Sequence, residues 1–69
     1  MEKHLLITGV SETSWKDAIT TAITEASKSI DYLSNIKVLE QRAKISGNRI
    51  SEYYADIDIS FIIDTERNG

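Results

Sequence analysis

Three carboxylates at even spacing, Glu52, Asp56 and Asp58, are the residues best placed to do chemistry in this chain. Alternate side chains of an extended strand share a face, so all three project to the same side. Hard oxygen ligands gathered in this way suit Ca²⁺ or Mg²⁺, above all where symmetry brings several copies together. The competing reading is a charged outer strand face that discourages edge-to-edge aggregation. An acid/base role for Asp56 and Asp58 in glycoside hydrolysis would need a cleft, and none is foreseeable in so small a chain. His4 is the single histidine and no cysteine is present, so neither a Cys-His nor a Ser-His-Asp arrangement can be drawn around it. It reads as a solvated or edge residue. Gly9 and Gly47 stand alone and read as turn glycines, not as a loop that cradles phosphate. No catalytic set emerges, and the expectation is that the chain is not an enzyme.

Sixty-nine residues leave room for one domain, 1–69. Charged residues make up 28% and hydrophobic ones 41%, which places the chain among globular rather than disordered sequences. A net charge of −3, with the basic residues scattered, argues against a surface that tracks nucleic-acid phosphates. Without cysteine there is neither a disulfide framework nor a thiolate zinc site. The opening Met-Glu-Lys-His is followed by only Leu5, Leu6 and Ile7 before Thr8, far short of a signal segment or a membrane span. The expected compartment is the cytoplasm. A chain this short, unaided by disulfide or metal, gains little more from burial than the roughly 1.5 kcal/mol per residue that ordering removes. Oligomerisation is the expected source of the remainder.

The elements that must carry these residues follow from periodicity. Residues 4–10 are apolar and rich in β-formers, so a first strand is predicted there. Ser14 with Asp17 three residues later forms a helix-start signature. From Trp15 the apolar positions run through Ala18, Ile19, Ala22, Ile23, Ala26, Ile30 and Leu33, one stripe of an amphipathic helix over about 15–33. Trp15 lies on that stripe and reads as core or interface, not as a ligand platform. Residues 35–45 and 50–63 read as strands of a hairpin around Gly47-Asn48, and 65–69 as a tail. In the last strand Tyr53, Ala55, Ile57, Ile59, Phe61 and Ile63 should face the helix. A strand, a crossover helix and a hairpin assemble most simply as an α+β, βαββ fold, its three-stranded antiparallel sheet ordered 1-3-2. The helix covers one sheet face and nothing is left for the other.

If the turn sets the register, Val38 faces Ile57 and Ile36 faces Ile59 on the helix side. Continuing outward puts Glu40 and Arg42 on that side, with Leu39, Ala43, Ile45, Ile50 and Tyr54 opposite; a bulge near Arg42 or Ala43 would shift the faces equally well. A long hairpin arm with an apolar patch calls for a neighbouring subunit.

Several segments together resemble the dodecins: Gly9-Val10-Ser11, the helix start from Ser14 to Ile19, Ala26 to Ile30, Val38 to Arg42, and the terminal strand with Tyr53, Ile57 and Ile59-Ser60-Phe61. The likeness runs over residues 4–63, and order and spacing together carry more weight than any one motif. The resemblance implies a hollow homododecamer of cubic (tetrahedral) symmetry that binds or stores a small molecule at subunit interfaces. In flavin-binding members that molecule is riboflavin or FMN.

Two positions depart from the flavin-binding pattern. Alignment through Val38-Leu39-Glu40-Gln41 puts Asn35 where those members carry a tryptophan that stacks on the flavin ring. Alignment through Ile59-Ser60-Phe61 puts Tyr54 where they carry a glutamine that hydrogen-bonds the ring's polar edge. Asparagine has no aromatic face, so a stack of roughly 1–3 kcal/mol is lost. Tyrosine cannot copy an amide's paired donor and acceptor, but can stack. Asn35 and Tyr54 are expected on one sheet face, away from the helix, as a shared pocket would require. The alternative expectation is a dodecin-like shell without flavin, binding ions or serving as structure.

Overall fold

The computed structural model describes residues 2–62. Strand β1 spans Glu2–Ser11, helix α1 Trp15–Ser27, strand β2 Leu33–Ser46 and strand β3 Arg49–Ile62. The sheet is antiparallel throughout, with order β1-β3-β2, the βαββ topology expected. Ile63 and the predicted tail 65–69 lie outside the described residues.

Helix α1 begins as its sequence dictates. Ser14 is the N-cap, its Oγ accepting the Asp17 backbone N–H at 3.0 Å, and Asp17 occupies the positive first turn. Its end differs from expectation: the helix stops at Ser27, not near residue 33. Ser27 Oγ donates back to the Thr24 carbonyl, and Ser29 and Ile30 N–H both donate to the Ala26 carbonyl. These hydroxyl and tightened-turn bonds offer the backbone an alternative to another helical turn. Leu33 still reaches the helix-side core, but as the first residue of β2 paired with Phe61. The apolar period therefore ran on by coincidence of side, not by continuation of the helix.

At the hairpin, only Gly47 takes a positive φ (68°), and Asn48 does not. That is the pattern of a II′ turn, in which the first central residue alone needs glycine. Gly9 is no turn glycine. It pairs with Ala55 in mid-strand, where an added Cβ would lie 1.9 Å from the Ala18 carbonyl oxygen and 3.0 Å from the Ala22 Cβ. Helix and sheet meet backbone to backbone here, and three alanines on the helix make that approach possible.

The core is thin. Its buried apolar residues are Ala18, Ala22, Ala26, Ala55, Ile57 and Ile59, and only the two isoleucines are large. The helix packs on β1 and β3 and scarcely touches β2, so beyond Leu33 every β2 residue is exposed. Thirteen helical residues span about 20 Å, against about 47 Å for a fourteen-residue strand. The hairpin consequently projects, and the molecule measures 57 × 19 × 12 Å. Its radius of gyration, 14.5 Å, exceeds the roughly 11 Å of a compact chain this long. Large apolar side chains stay open on both faces, Leu6 at 69% and Ile45 at 68% exposure among them.

Candidate functional site

Pairing across the sheet decides which residues share the face that the helix leaves bare, because directly opposed residues project to the same side. Val38 opposes Ile57 and Ile36 opposes Ile59 on the helix side, as the turn register predicted. Between Val38 and Glu40 the register shifts by one residue, with Leu39 as the extra residue of a bulge. From there Glu40 opposes Asp56, Arg42 opposes Tyr54 and Lys44 opposes Glu52, all on the bare face. The expected placement of Glu40 and Arg42 with the helix is thus reversed, and Ala43, opposite Tyr53, turns to the helix side instead. The bulge sits at Leu39, upstream of the Arg42–Ala43 position foreseen. Two adjacent apolar residues, Val38-Leu39, stand at the bulge, but the polar run Glu40-Gln41-Arg42 that follows leaves no alternation by which to place it.

The reversal assembles a connected polar chain. Arg42 clamps Asp56 with two bonds, Nε to Oδ2 at 3.0 Å and Nη2 to Oδ1 at 2.9 Å. Thr8, reaching across from β1, donates its hydroxyl to Asp56 Oδ1 at 2.7 Å. The Arg42 guanidinium also lies 5.2 Å from the centre of the Tyr54 ring, within cation–π range. The Tyr54 hydroxyl donates to Glu52 Oε1 at 2.6 Å. The Arg42 and Thr8 hydrogen bonds hold the Asp56 carboxyl below the usual aspartate range. The bond to Glu52, then loss of solvent and the nearby carboxylate, push the Tyr54 phenol up. Arg42 was the residue that sequence reasoning missed, since its face depended on the bulge.

The predicted site residues fall as follows. Asn35 and Tyr54 do share the bare face, Asn35 opposite Ser60 and Tyr54 opposite Arg42. Ser60 lies six positions beyond Tyr54 in β3, about 20 Å along a strand, so one subunit does not join them in one pocket. Asn35 stands instead at a polar end of the sheet. There His4 Nδ1 is 3.1 Å from Asp58 Oδ1 and 3.3 Å from Ser60 Oγ, and Ser34 donates to the Ser60 carbonyl. His4 is an edge residue, as expected, with Asp58 as a hydrogen-bond partner.

Glu52, Asp56 and Asp58 also share the face, but each is engaged, by Tyr54, by Arg42 with Thr8, and by His4. Glu52 and Asp58 again stand about 20 Å apart. Among the described residues no three histidine or acidic side chains converge to hold a metal ion. Trp15 lies on the helix side, edge-on to Tyr53 at 4.9 Å between ring centres, with its indole N–H donating to the Arg42 carbonyl at 2.9 Å. No helix among the described residues is long and apolar enough to cross a membrane.

Comparison with known proteins points one way. No curated protein matches the chain. Among solved structures, the tt0972 protein of Thermus thermophilus is 27% identical and superposes with a TM-score of 0.88 over 91% of this chain and 93% of its own. A calcium dodecin of Mycobacterium tuberculosis, a calcium-chelating antigen, is 30% identical, with a TM-score of 0.81 over 91% and 90%. A dodecin of Streptomyces davaonensis shares the fold at 23% identity, with a TM-score of 0.88 over 93% and 94%. The sheet order and single helix described above recur in these relatives, and the family model for dodecin matches residues 2–64: the chain belongs to the dodecin family.

Proposed function

We propose that twelve copies of this chain close into a hollow shell that binds and sequesters a small planar ligand between subunits, without transforming it, in the cytoplasm. The observation that carries this reading is the bare sheet face, where Arg42 and Tyr54 stand together as a cation beside an aromatic ring. Riboflavin or FMN is the first candidate. Tyr54 supplies the aromatic surface that Asn35 does not, and stacking of this kind contributes about 1–3 kcal/mol per ring. Because Asn35 and Tyr54 stand about 20 Å apart on one chain, a pocket using both draws them from different subunits. Family membership supports a binding protein built from many copies.

The test is direct. The purified protein should quench riboflavin fluorescence on titration, and Tyr54→Ala should weaken that binding. A protein that leaves riboflavin fluorescence unchanged at micromolar subunit concentration would refute the flavin reading.

A second reading has its own support, the 30% identity to a calcium dodecin. A Ca²⁺ or Mg²⁺ ion would take carboxylates such as Glu52, Asp56 and Asp58 from adjoining copies, since within one subunit they stand apart. Asp56 would have to exchange its Arg42 clamp for the ion. A rise in melting temperature with millimolar Ca²⁺ and none with riboflavin would favour it.

A further inference from the structure

Arg42 owes its place on the bare face to the backbone of β2, which pairs with β3 on one side and has no strand on the other. The strand is at the sheet edge, every residue beyond Leu33 is exposed, and the register has just slipped at Leu39. The helix packs on β1 and β3 instead. Trp15, the first residue of α1, is the exception that reaches across. Its indole N–H donates to the Arg42 carbonyl at 2.9 Å, and its ring meets Tyr53 edge-on at 4.9 Å and 81°. Tyr53 opposes Ala43, the residue after Arg42, and precedes Tyr54 in β3. One side chain thus grips the backbone of Arg42 on β2 and the neighbour of Tyr54 on β3.

We infer that Trp15 is a positioning residue for the ligand face. From the helix side of the sheet it fixes the bulged strand so that the Arg42 guanidinium lies over Tyr54 and on Asp56. The inference rests on the reading of Arg42 and Tyr54 as ligand contacts. Trp15 itself touches no ligand, because it lies on the opposite face. Its effect on binding must therefore pass through Arg42, and that dependence separates it from a residue that only stabilises the fold.

Trp15 is the one tryptophan of the chain, so biosynthetic replacement by benzothienylalanine, with sulfur in place of the indole N–H, changes this site alone. Shape and ring contact with Tyr53 are kept; the bond to Arg42 is lost. Riboflavin is the probe, titrated against the intact assembly. The replacement should weaken riboflavin binding about fivefold, the size of one net hydrogen bond. In an Arg42→Ala background the bond to the residue-42 carbonyl remains, but no guanidinium is left for it to position, so the replacement should have no effect on binding. Unchanged affinity, or an equal loss in both backgrounds, would overturn the inference. Should the unsubstituted protein ignore riboflavin, the flavin reading falls, and the positioning role is read from the Arg42 Nε–H resonance. Displacement or loss of that signal on replacement supports the role; an unmoved signal overturns it.

Discussion

Gly9→Ala isolates the contact on which the helix-to-sheet packing depends. The added methyl carbon would stand 1.9 Å from the Ala18 carbonyl oxygen and 2.8 Å from its carbon, both backbone atoms that no rotamer change can move. Ordinary contact begins near 3.4 Å, so the helix must rise by about 1.5 Å over Ala18 and Ala22. A radial gap of even about 0.5–1 Å forfeits a quarter to a half of each dispersion contact beneath it. The two residues lifted belong to a core in which only Ile57 and Ile59 are large and fully buried. The expected loss is at the upper end of overpacking penalties, about 3 kcal/mol, or a fall in Tm of roughly 12–24 °C. Gly47→Ala is the control. Nothing lies within 4 Å of its added carbon, and its φ of 68° imposes backbone strain alone, about 1–3 kcal/mol. Thermal unfolding followed by circular dichroism at one subunit concentration reads both variants. A Gly9→Ala protein no less stable than Gly47→Ala would refute the account of the helix contact.

The bare face offers three further tests. The Asp56 carboxyl is held low by Arg42 and Thr8 in the folded chain, so its contribution to stability is present above the ordinary aspartate value of about 3.9 and lost as pH falls through the folded value. Asp56→Asn should remove that acid-side loss, and denaturant midpoints measured between about pH 5 and pH 2 should flatten accordingly. The Tyr54 phenol is raised, so its contribution holds below the ordinary tyrosine value of about 10 and fades as pH climbs through the folded value. In a difference titration of tyrosinate absorbance, Tyr54→Phe should delete a component that titrates above the ordinary tyrosine value of about 10; loss of a component at or below that value instead would contradict the Glu52 bond. Leu6, 69% exposed on the bare face, should tolerate glutamate within about 0.5 kcal/mol in an isolated subunit. Covered by a neighbour, Leu6→Glu should instead shrink the particle in size-exclusion chromatography, and an unchanged elution volume would show that this part of the face is free.

The elements with a strict period were legible from sequence. Alternation across Tyr53 to Phe61 identified the face that packs on the helix, and the Ser14-to-Asp17 start placed the helix N-terminus to the residue. The far end of the helix was not legible, because Ile30 and Leu33 continue a helical period while the Ser27-Lys28-Ser29 turn ends the helix beneath it. Nor was the face of Arg42. A single extra residue inverts every side chain beyond it, and Leu39 lies three positions before Arg42. Placing the bulge needed the pairing partners on β3, which a local pattern does not contain. Gly9 was misread for a related reason: a mid-strand glycine that admits a helix backbone looks, in one dimension, like a strand end. Asn35 and Tyr54 were rightly assigned to one face, but their separation of about 20 Å along it depends on strand length and register together.

The central claim is that one helix over two strands leaves too much of this sheet open for a single copy to persist, so copies cover one another. Sedimentation equilibrium at micromolar subunit concentration tests it most directly. The expected result is a discrete particle of about 94 kDa, twelve copies of the 7.8 kDa chain in closed symmetry. A well-folded particle of 7.8 kDa would contradict it.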